Sequence, residues 1–145
     1  MRLMPSTEAA GIERGAIPFD AIAPVKWKWR NFQPIEVACK RTGLVPLQSA
    51  GFRETMDALQ AVRDETQEPI FLTNMYRTDL ENRRVGGGRN SQHLIGRAGD
   101  IVLAGRDINE YEAILRAHGF NGIGRYPGRG FIHADTRSKR ATWDG

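Results

Sequence analysis

Two short stretches of the sequence carry side chains that could do chemistry together. The first places His93 seven residues before Asp100. The second places His133 two residues before Asp135. Two imidazoles and one carboxylate, with a fourth position left for water, are a typical ligand set of a catalytic zinc site. His93, Asp100 and His133 are therefore candidate metal ligands. The alternative is that both histidines are isolated surface or hydrogen-bonded side chains.

Alternation within the second stretch indicates a β-strand with its polar groups on one side. Successive residues of a strand point to opposite faces. His133, Asp135 and Arg137 would thus share one face, while Ile132 and Ala134 would face the core. If the strand containing Asp100 is a neighbour, the two stretches meet on one surface.

The remaining pattern predicts the elements that must support this surface. Apolar spacing predicts a helix over residues 52–65, and Asp107 is a plausible N-cap for a second helix that ends at Gly119. Short apolar or alternating runs predict strands at residues 69–73, 98–103, 122–126 and 130–136. The charged segment 79–90, with three consecutive glycines, is expected to be a mobile loop leading into His93. This order predicts an α+β fold, with helices packed against a small, mostly antiparallel sheet.

Length and composition predict one domain. The 145 residues have 40% hydrophobic content, which is enough for an ordinary core. Residues 1–25 contain scattered proline without periodicity, so we expect an N-terminal arm or leader followed by a domain over residues 26–145. Cys39 is the single cysteine and is expected to be a small buried residue rather than a nucleophile. No apolar run resembles a signal peptide or membrane span, which predicts synthesis in the cytoplasm and no membrane insertion.

The basic charge is concentrated around the two stretches. Residues 77–97 carry a net charge of +3 and residues 125–140 a net charge of +4, whereas the whole chain carries +4. Such a distribution favours an anionic substrate at the candidate metal site. A nucleic-acid partner is the competing interpretation, but no helix-turn-helix, RNA-binding or zinc-finger pattern supports it.

Two other features have plain structural explanations. Trp27, Trp29 and Phe32 form an aromatic cluster that could bind sugars or a partner, but packing onto the core is the favoured interpretation. His118 falls in the last turn of the second predicted helix, where histidines usually satisfy the helix end. It is therefore not a candidate ligand.

Three motifs in the same order resemble the zinc D-Ala-D-Ala carboxypeptidase family, which includes phage endolysins and murein endopeptidases. The resemblance covers residues 71–143. The motifs are Ser91-x-His93-x-x-Gly96-Arg97-Ala98-x-Asp100-Ile101, Gly122-Ile123-Gly124-Arg125-Tyr126-Pro127 and Gly130-Phe131-Ile132-His133-Ala134-Asp135-Thr136-Arg137. The resemblance implies a hedgehog/D-Ala-D-Ala-peptidase-like fold. It also implies Zn²⁺ as cofactor, with His93, Asp100 and His133 as its ligands.

The same resemblance suggests roles for residues around the metal. Arg77, in Tyr76-Arg77-Thr78, matches a segment whose arginine binds or polarises the substrate. Many members carry an acidic catalytic residue three positions before the last histidine ligand, but here that position is Gly130. Asp135 is then the candidate general base, or else it orients a ligand histidine through a hydrogen bond.

The expected activity is hydrolysis of amide bonds in peptidoglycan stem peptides by a monomeric, phage-encoded zinc peptidase. It would act at the bacterial cell wall after release, or as part of a virion. Asp79 and Glu81 are weaker candidates for the general base. The expected substrate-binding residues are Arg77, Arg83, Arg84, Arg89, Arg125, Ser91 and Tyr126. The alternatives are a catalytically inactive cell-wall-binding or virion structural protein of the same fold, and a basic nucleic-acid-associated protein.

Overall fold

A five-stranded sheet is the framework of the computed structural model, which describes residues 6–145. The strands of this part of the chain are β1 (Ile17–Pro18), β2 (Leu44–Val45), β3 (Leu72–Asn74), β4 (Ala98–Val102), β5 (Gly122–Tyr126), β6 (Phe131–Asp135) and β7 (Ala141–Asp144). The large sheet has the order β3-β4-β6-β5-β7, and β1 pairs with β2 in a separate two-stranded sheet. All neighbours in the large sheet are antiparallel except β5 and β7, which are parallel.

Five α-helices accompany the large sheet in the described part of the chain. The described residues form α1 (Thr7–Gly15), α2 (Pro34–Val37), α3 (Ala50–Thr66), α4 (Asp79–Arg84) and α5 (Ile108–Ala117). The Ser49 hydroxyl accepts a hydrogen bond from the backbone N–H of Phe52 and begins α3, and the Asp107 carboxylate begins α5 in the same way. None of the helices in the described range is long and apolar enough to cross a membrane.

Buried apolar residues of α2, α3 and α5 form the core together with one face of the large sheet. The buried stripe of α3 repeats at helical spacing and comprises Phe52, Met56, Leu59 and Val62. The sheet contributes the alternate residues Ile101, Ile123 and Ile132, all fully buried. Because strand side chains alternate, burying these isoleucines leaves the intervening positions on the opposite face for the polar site.

This architecture confirms the predicted α+β class and mostly antiparallel sheet. The helix over residues 52–65, the Asp107 cap and the paired strands β5 and β6 are also confirmed. Near the candidate site, the structure differs from the expectation in two places. The predicted loop at residues 79–90 begins with the helix α4, and the parallel strand β7 was not predicted.

The N-terminal segment packs against the rest of the chain. The predicted leader lacked regular structure, but α1 forms there, capped by the Ser6 hydroxyl. Glu13 of this helix accepts a hydrogen bond from the Asp79 backbone N–H at 2.9 Å, and the Ile12 carbonyl accepts one from Gln48 at 3.0 Å. Residues 1–5 of the predicted arm lie outside the described residues, and the domain division at residue 26 stays a prediction.

The aromatic cluster and the cysteine are structural. Trp29 and Phe32 are buried, and the Trp29 indole N–H donates to Asp57 on α3 at 2.8 Å. The packing interpretation is therefore confirmed. Cys39 is buried beside the hydroxyl of Thr78, with 3.4 Å between sulfur and oxygen.

Candidate metal centre

One row of residues crosses all five strands of the large sheet and organises the site. Strand pairing places Asn74 opposite Asp100, Asp100 opposite His133, His133 opposite Gly124, and Gly124 opposite Trp143. Directly paired residues point to the same side of a sheet. Two of the three predicted ligands are thus neighbours because of the strand register.

His93 reaches the same place from a 3₁₀ turn, Gln92–Ile95, that precedes β4. The Ser91 hydroxyl caps this turn by accepting a hydrogen bond from the His93 backbone N–H at 3.2 Å. Gly96 ends it with a φ of 72°, a left-handed conformation that favours glycine. The chain then reverses into β4, which brings His93 back over Asp100.

Three donor atoms converge at this point. Asp100 Oδ1 lies 3.3 Å from His93 Nε2 and 3.1 Å from His133 Nδ1. All three donor atoms fall within 4.8 Å of one another. Ligand atoms of a tetrahedral zinc site are about 3.3 Å apart, since zinc–nitrogen and zinc–oxygen distances are about 2.0–2.1 Å. The two distances from Asp100 Oδ1 to the histidine nitrogens match that spacing.

The hydrogen bonds on the far side of each imidazole fix which nitrogen faces the centre. His93 Nδ1 lies 2.6 Å from the Met75 carbonyl oxygen, which can only accept, so this nitrogen carries the proton. His133 Nε2 lies 2.7 Å from Asp135 Oδ2 and likewise donates. His93 Nε2 and His133 Nδ1 are then left facing the Asp100 carboxylate, an arrangement that a bound cation satisfies.

The electrostatics of the three groups suit metal binding. Burial lowers the pKa of His93 and keeps its imidazole neutral, as a ligand must be. Burial also lowers the pKa of His133, but hydrogen bonds with Asp100 and Asp135 outweigh this effect and raise it overall. For Asp100, burial alone would raise the pKa, but hydrogen bonds with both histidines hold it well below its usual value. A proton on His133 and a metal ion would therefore compete for the same space.

Asp135 is fully buried behind His133. Besides the contact with His133, its two oxygens accept hydrogen bonds from Arg137 Nε and Nη2, each at 2.7 Å. Burial alone would raise the pKa of this carboxyl, but the bonds with Arg137 and His133 outweigh it and hold the pKa well below its usual value. Both oxygens are thus engaged, which favours an orienting role for Asp135.

The three candidate ligand atoms lie at the wall of a cavity of about 870 Å³. Polar and glycine residues of β3 and the 85–92 loop form one side, and aromatic and basic residues of β5 to β7 form the other. The lining residues are Thr73, Asn74, Arg77, Val85, Gly86, Gly87, Gly88, Asn90, Ser91, Gln92, His93, Asp100, Tyr126, Arg129, Phe131, His133, Arg137 and Trp143. Among the described residues that line the cavity, Asp100 supplies the one carboxylate.

Arg77 enters the cavity as a mostly buried guanidinium. Its Nη1 donates to the Asn82 side-chain oxygen at 3.2 Å, whereas its buried Nε has no hydrogen-bond partner. Burial lowers the pKa of this arginine. The Asn82 amide nitrogen donates to the Gly88 carbonyl at 2.9 Å, so one buried amide holds both Arg77 and the glycine loop. A guanidinium on the cavity wall favours an anionic or carbonyl ligand.

Most of the predicted basic rim is placed elsewhere. Arg84 is paired with Glu81 at 2.6 Å, Arg83 with Asp79 at 2.7 Å, and Arg125 lies 3.3 Å from Glu112 on α5. None of these arginines, nor Arg89, Asp79 or Glu81, lines the described cavity. The alternation of side chains along β5 explains why Arg125 lies outside the cavity. Its neighbours Gly124 and Tyr126 face the site, so Arg125 points to the other side of the sheet.

The cavity residues that were not predicted as site residues include three that contact the side chains of Asp100, Asp135 or His133. Asn74 donates to Asp100 Oδ2 at 3.4 Å, Arg137 holds Asp135, and Trp143 packs beside His133 with ring centroids 5.1 Å apart. Alternation from His133 to Arg137 was a usable signal for the arginine. The places of Asn74 and Trp143 in the site depend on strand pairing, which the local sequence pattern does not reveal.

Comparison with known proteins agrees with this geometry. The family model described as Peptidase M15 matches residues 30–135, a range that contains all three candidate ligands and Arg77. Arg137 and Trp143 lie beyond the matched range. A comparison with curated proteins found no match for the chain.

Proposed function

Because this chain belongs to the Peptidase M15 family, we propose that it is a zinc-dependent peptidase that hydrolyses amide bonds in peptidoglycan stem peptides. The observation that carries the proposal is the convergence of His93 Nε2, Asp100 Oδ1 and His133 Nδ1 at the wall of a cavity large enough for a peptide. A zinc ion bound there would activate water and polarise the scissile carbonyl.

The chain's own residues hold that centre and bind the peptide. The Met75 carbonyl and the Asp135 carboxylate keep the two imidazoles in the tautomers that direct a lone pair inward. Arg77 lines the cavity and would place its guanidinium charge beside a carboxylate or carbonyl oxygen of the peptide. Arg129 and Arg137 add positive charge to the cavity wall, which suits stem peptides because they carry free carboxylates.

Asp135 is proposed to orient His133 rather than to accept the proton of the attacking water. A general base needs a free lone pair within reach of that water. The Asp135 oxygens instead accept hydrogen bonds from Arg137 and His133, and the residue does not line the cavity. We further propose that the peptidase is phage-encoded, acts at the bacterial cell wall and works as a monomer.

The test combines metal content with digestion of purified sacculi. We expect about one zinc ion per chain, and chromatography with mass spectrometry should identify which peptide bond is cleaved. His93→Ala and His133→Ala should each lose most of the zinc and the activity. His118→Ala is the matched control, since the His118 side chain contacts Glu65 on the surface at 2.9 Å, away from the centre. Full zinc content in a double His93→Ala, His133→Ala variant would refute the site.

A catalytically inactive binding module is the second candidate. Two observations favour it. Asp100 is the one carboxylate among the described cavity-lining residues, and Gly130 stands where many members of the family have an acid. This candidate predicts that the zinc-loaded protein binds soluble muropeptides without cleaving them. Release of any peptide product from sacculi would exclude it.

A further inference from the structure

Trp143 occupies a place on the metal-site face that the matched family range does not reach. It lies on β7, opposite Gly124 in the strand register, and Gly124 is itself opposite His133. A Cβ atom at Gly124 would lie 2.5 Å from the indole Nε1 and Cε2 atoms. The missing side chain therefore leaves the space in which the indole lies across the sheet beside His133.

The indole is held on two further sides. The guanidinium of Arg137, which also pairs with Asp135, lies 5.2 Å from the Trp143 ring centroid. The indole Nε1–H donates a hydrogen bond to the Tyr126 hydroxyl oxygen at 2.9 Å. Trp143 thus connects the group that orients His133 with a second residue of the cavity wall.

Tyr126 is also held in place by its neighbours. Its ring is stacked on Phe131 with 4.6 Å between centroids and 7° between planes. Arg129 lies above both rings, 5.8 Å and 5.3 Å from their centroids. Stacking holds the ring plane, and the bond from Trp143 holds the hydroxyl end, so the Tyr126 oxygen has a defined position in the cavity.

The direction of this hydrogen bond decides what the hydroxyl can do. An indole N–H can only donate, so the phenol oxygen must accept from Trp143. The hydrogen bonds within the described residues leave the Tyr126 hydroxyl proton without an acceptor. A hydroxyl that already accepts one hydrogen bond is a stronger donor through its own proton.

We propose that Trp143 is a positioning residue that fixes the Tyr126 hydroxyl as a hydrogen-bond donor to a carbonyl or carboxylate oxygen of the bound peptide. This inference rests on the proposed function, because it assigns a substrate contact at the same cavity. The pair selects for acceptor atoms, since the lone pair directed at Trp143 is no longer open to an N–H group of the ligand.

A double-mutant cycle tests the coupling. Trp143→Phe keeps an aromatic ring but removes the indole N–H, and Tyr126→Phe removes the hydroxyl. Each should lower kcat/KM on soluble muropeptides by about 2- to 12-fold, the range for one hydrogen bond between neutral groups. The double variant should be no worse than Tyr126→Phe alone, because Trp143 acts through that hydroxyl.

Matched controls separate this effect from the general loss of an indole or a phenol. In Trp27→Phe the lost N–H donates to the Phe32 carbonyl, outside the cavity. In Tyr111→Phe the lost hydroxyl is buried and has no hydrogen-bond partner. Both control variants should retain kcat/KM.

Zinc content and muropeptide affinity provide readouts besides turnover. Both cavity variants should keep their zinc, and their affinity for a soluble muropeptide, measured by calorimetry on the zinc-loaded protein, should follow the same non-additive pattern. Additive losses, loss of zinc in Trp143→Phe, or unchanged binding in Tyr126→Phe would each overturn the inference. If Trp143→Phe fails to fold, Tyr126→Phe still tests the substrate contact on which the inference depends, because that variant retains every aromatic ring.

The outcomes also separate this inference from the proposed function. Wild-type protein that binds the muropeptide without cleaving it would overturn the proposed peptidase activity alone, and the cycle measured in binding constants would still decide the role of Trp143. Wild-type protein that neither binds nor cleaves it would overturn both.

Discussion

Replacing Asp135 by Asn is the most informative single change at the metal centre. The substitution keeps the size of the side chain, removes its charge and turns one acceptor oxygen into an NH₂ donor. In the wild type, Asp135 Oδ2 accepts from His133 Nε2 and Arg137 Nη2, while Oδ1 accepts from Arg137 Nε and, at 3.3 Å, from the Arg137 backbone N–H. An asparagine can supply one of these oxygens and not the other.

The structure indicates how large the effect should be. If the amide oxygen stays opposite His133, the new NH₂ group faces the Arg137 donors, so at least one charge-assisted hydrogen bond is lost. Such bonds contribute about 1.5–3 kcal/mol each. His133 would also lose a charged partner that raises the basicity of its inward nitrogen. Loss of such a supporting carboxylate typically weakens metal binding by about 10- to 100-fold.

Competition with a chromophoric chelator measures the zinc affinity, and turnover of muropeptides is then measured at saturating zinc. We expect Asp135→Asn to bind zinc about 10- to 100-fold more weakly and to recover most of its turnover once zinc is saturating. Asp144→Asn is the matched control, because Asp144 is an exposed residue of the neighbouring part of the sheet. It should bind zinc as the wild type does.

The general-base role predicts the opposite pattern. A base typically contributes about 10²- to 10⁴-fold to the rate and nothing to metal retention. An Asp135→Asn variant with wild-type zinc affinity and a kcat lowered at least about 100-fold would refute the orienting role.

Two further changes test the supports of the cavity. Asn82→Ala removes the amide that holds Arg77 and the Gly88 carbonyl, so KM for muropeptides should rise with zinc content unchanged; an unchanged KM would mean that Arg77 needs no such support. Gly122→Ala places a Cβ 2.5 Å from Arg137 Nε, and overpacking of this kind costs about 1–3 kcal/mol. Thermal unfolding should show a lowered Tm, and chelator competition should show a weakened zinc affinity. Wild-type values for both would mean that the sheet relaxes around the added methyl group.

The sequence predicted best where local periodicity and tertiary burial agree. The α3 stripe and the alternation of β6 are both direct consequences of which residues face the core, so the helix, the strand and the shared face of His133 and Asp135 were confirmed. That His93 and Asp100 would meet was predicted from their residue types and from the family resemblance.

The elements that the sequence did not predict are short and defined by capping or pairing. The Thr78 hydroxyl caps helix α4 by accepting a hydrogen bond from the Glu81 backbone N–H. Five of the six helical residues are charged or polar and the sixth, Leu80, is exposed, so the helix carries no apolar stripe that a sequence pattern could reveal. Strand β7 has four residues and exists because it pairs with β5. Arg83, Arg84 and Arg125 lie outside the cavity lining, because net charge along a segment does not indicate which side chains pair with neighbouring carboxylates.

Two glycines of β5 explain how these pieces meet. A Cβ at Gly122 would lie 2.1 Å from Asp135 Oδ1, and one at Gly124 would lie 2.5 Å from the Trp143 indole. Glycine ordinarily weakens a strand interior, so its presence at two alternate positions indicates that space on this face is needed. The space is filled from neighbouring strands by the carboxylate that orients His133 and by the indole that positions Tyr126. Strand β5 thus lacks side chains at the two positions where Arg137 and Trp143 approach the candidate metal centre. Both residues follow the family-matched range, so that C-terminal segment contributes to the candidate site.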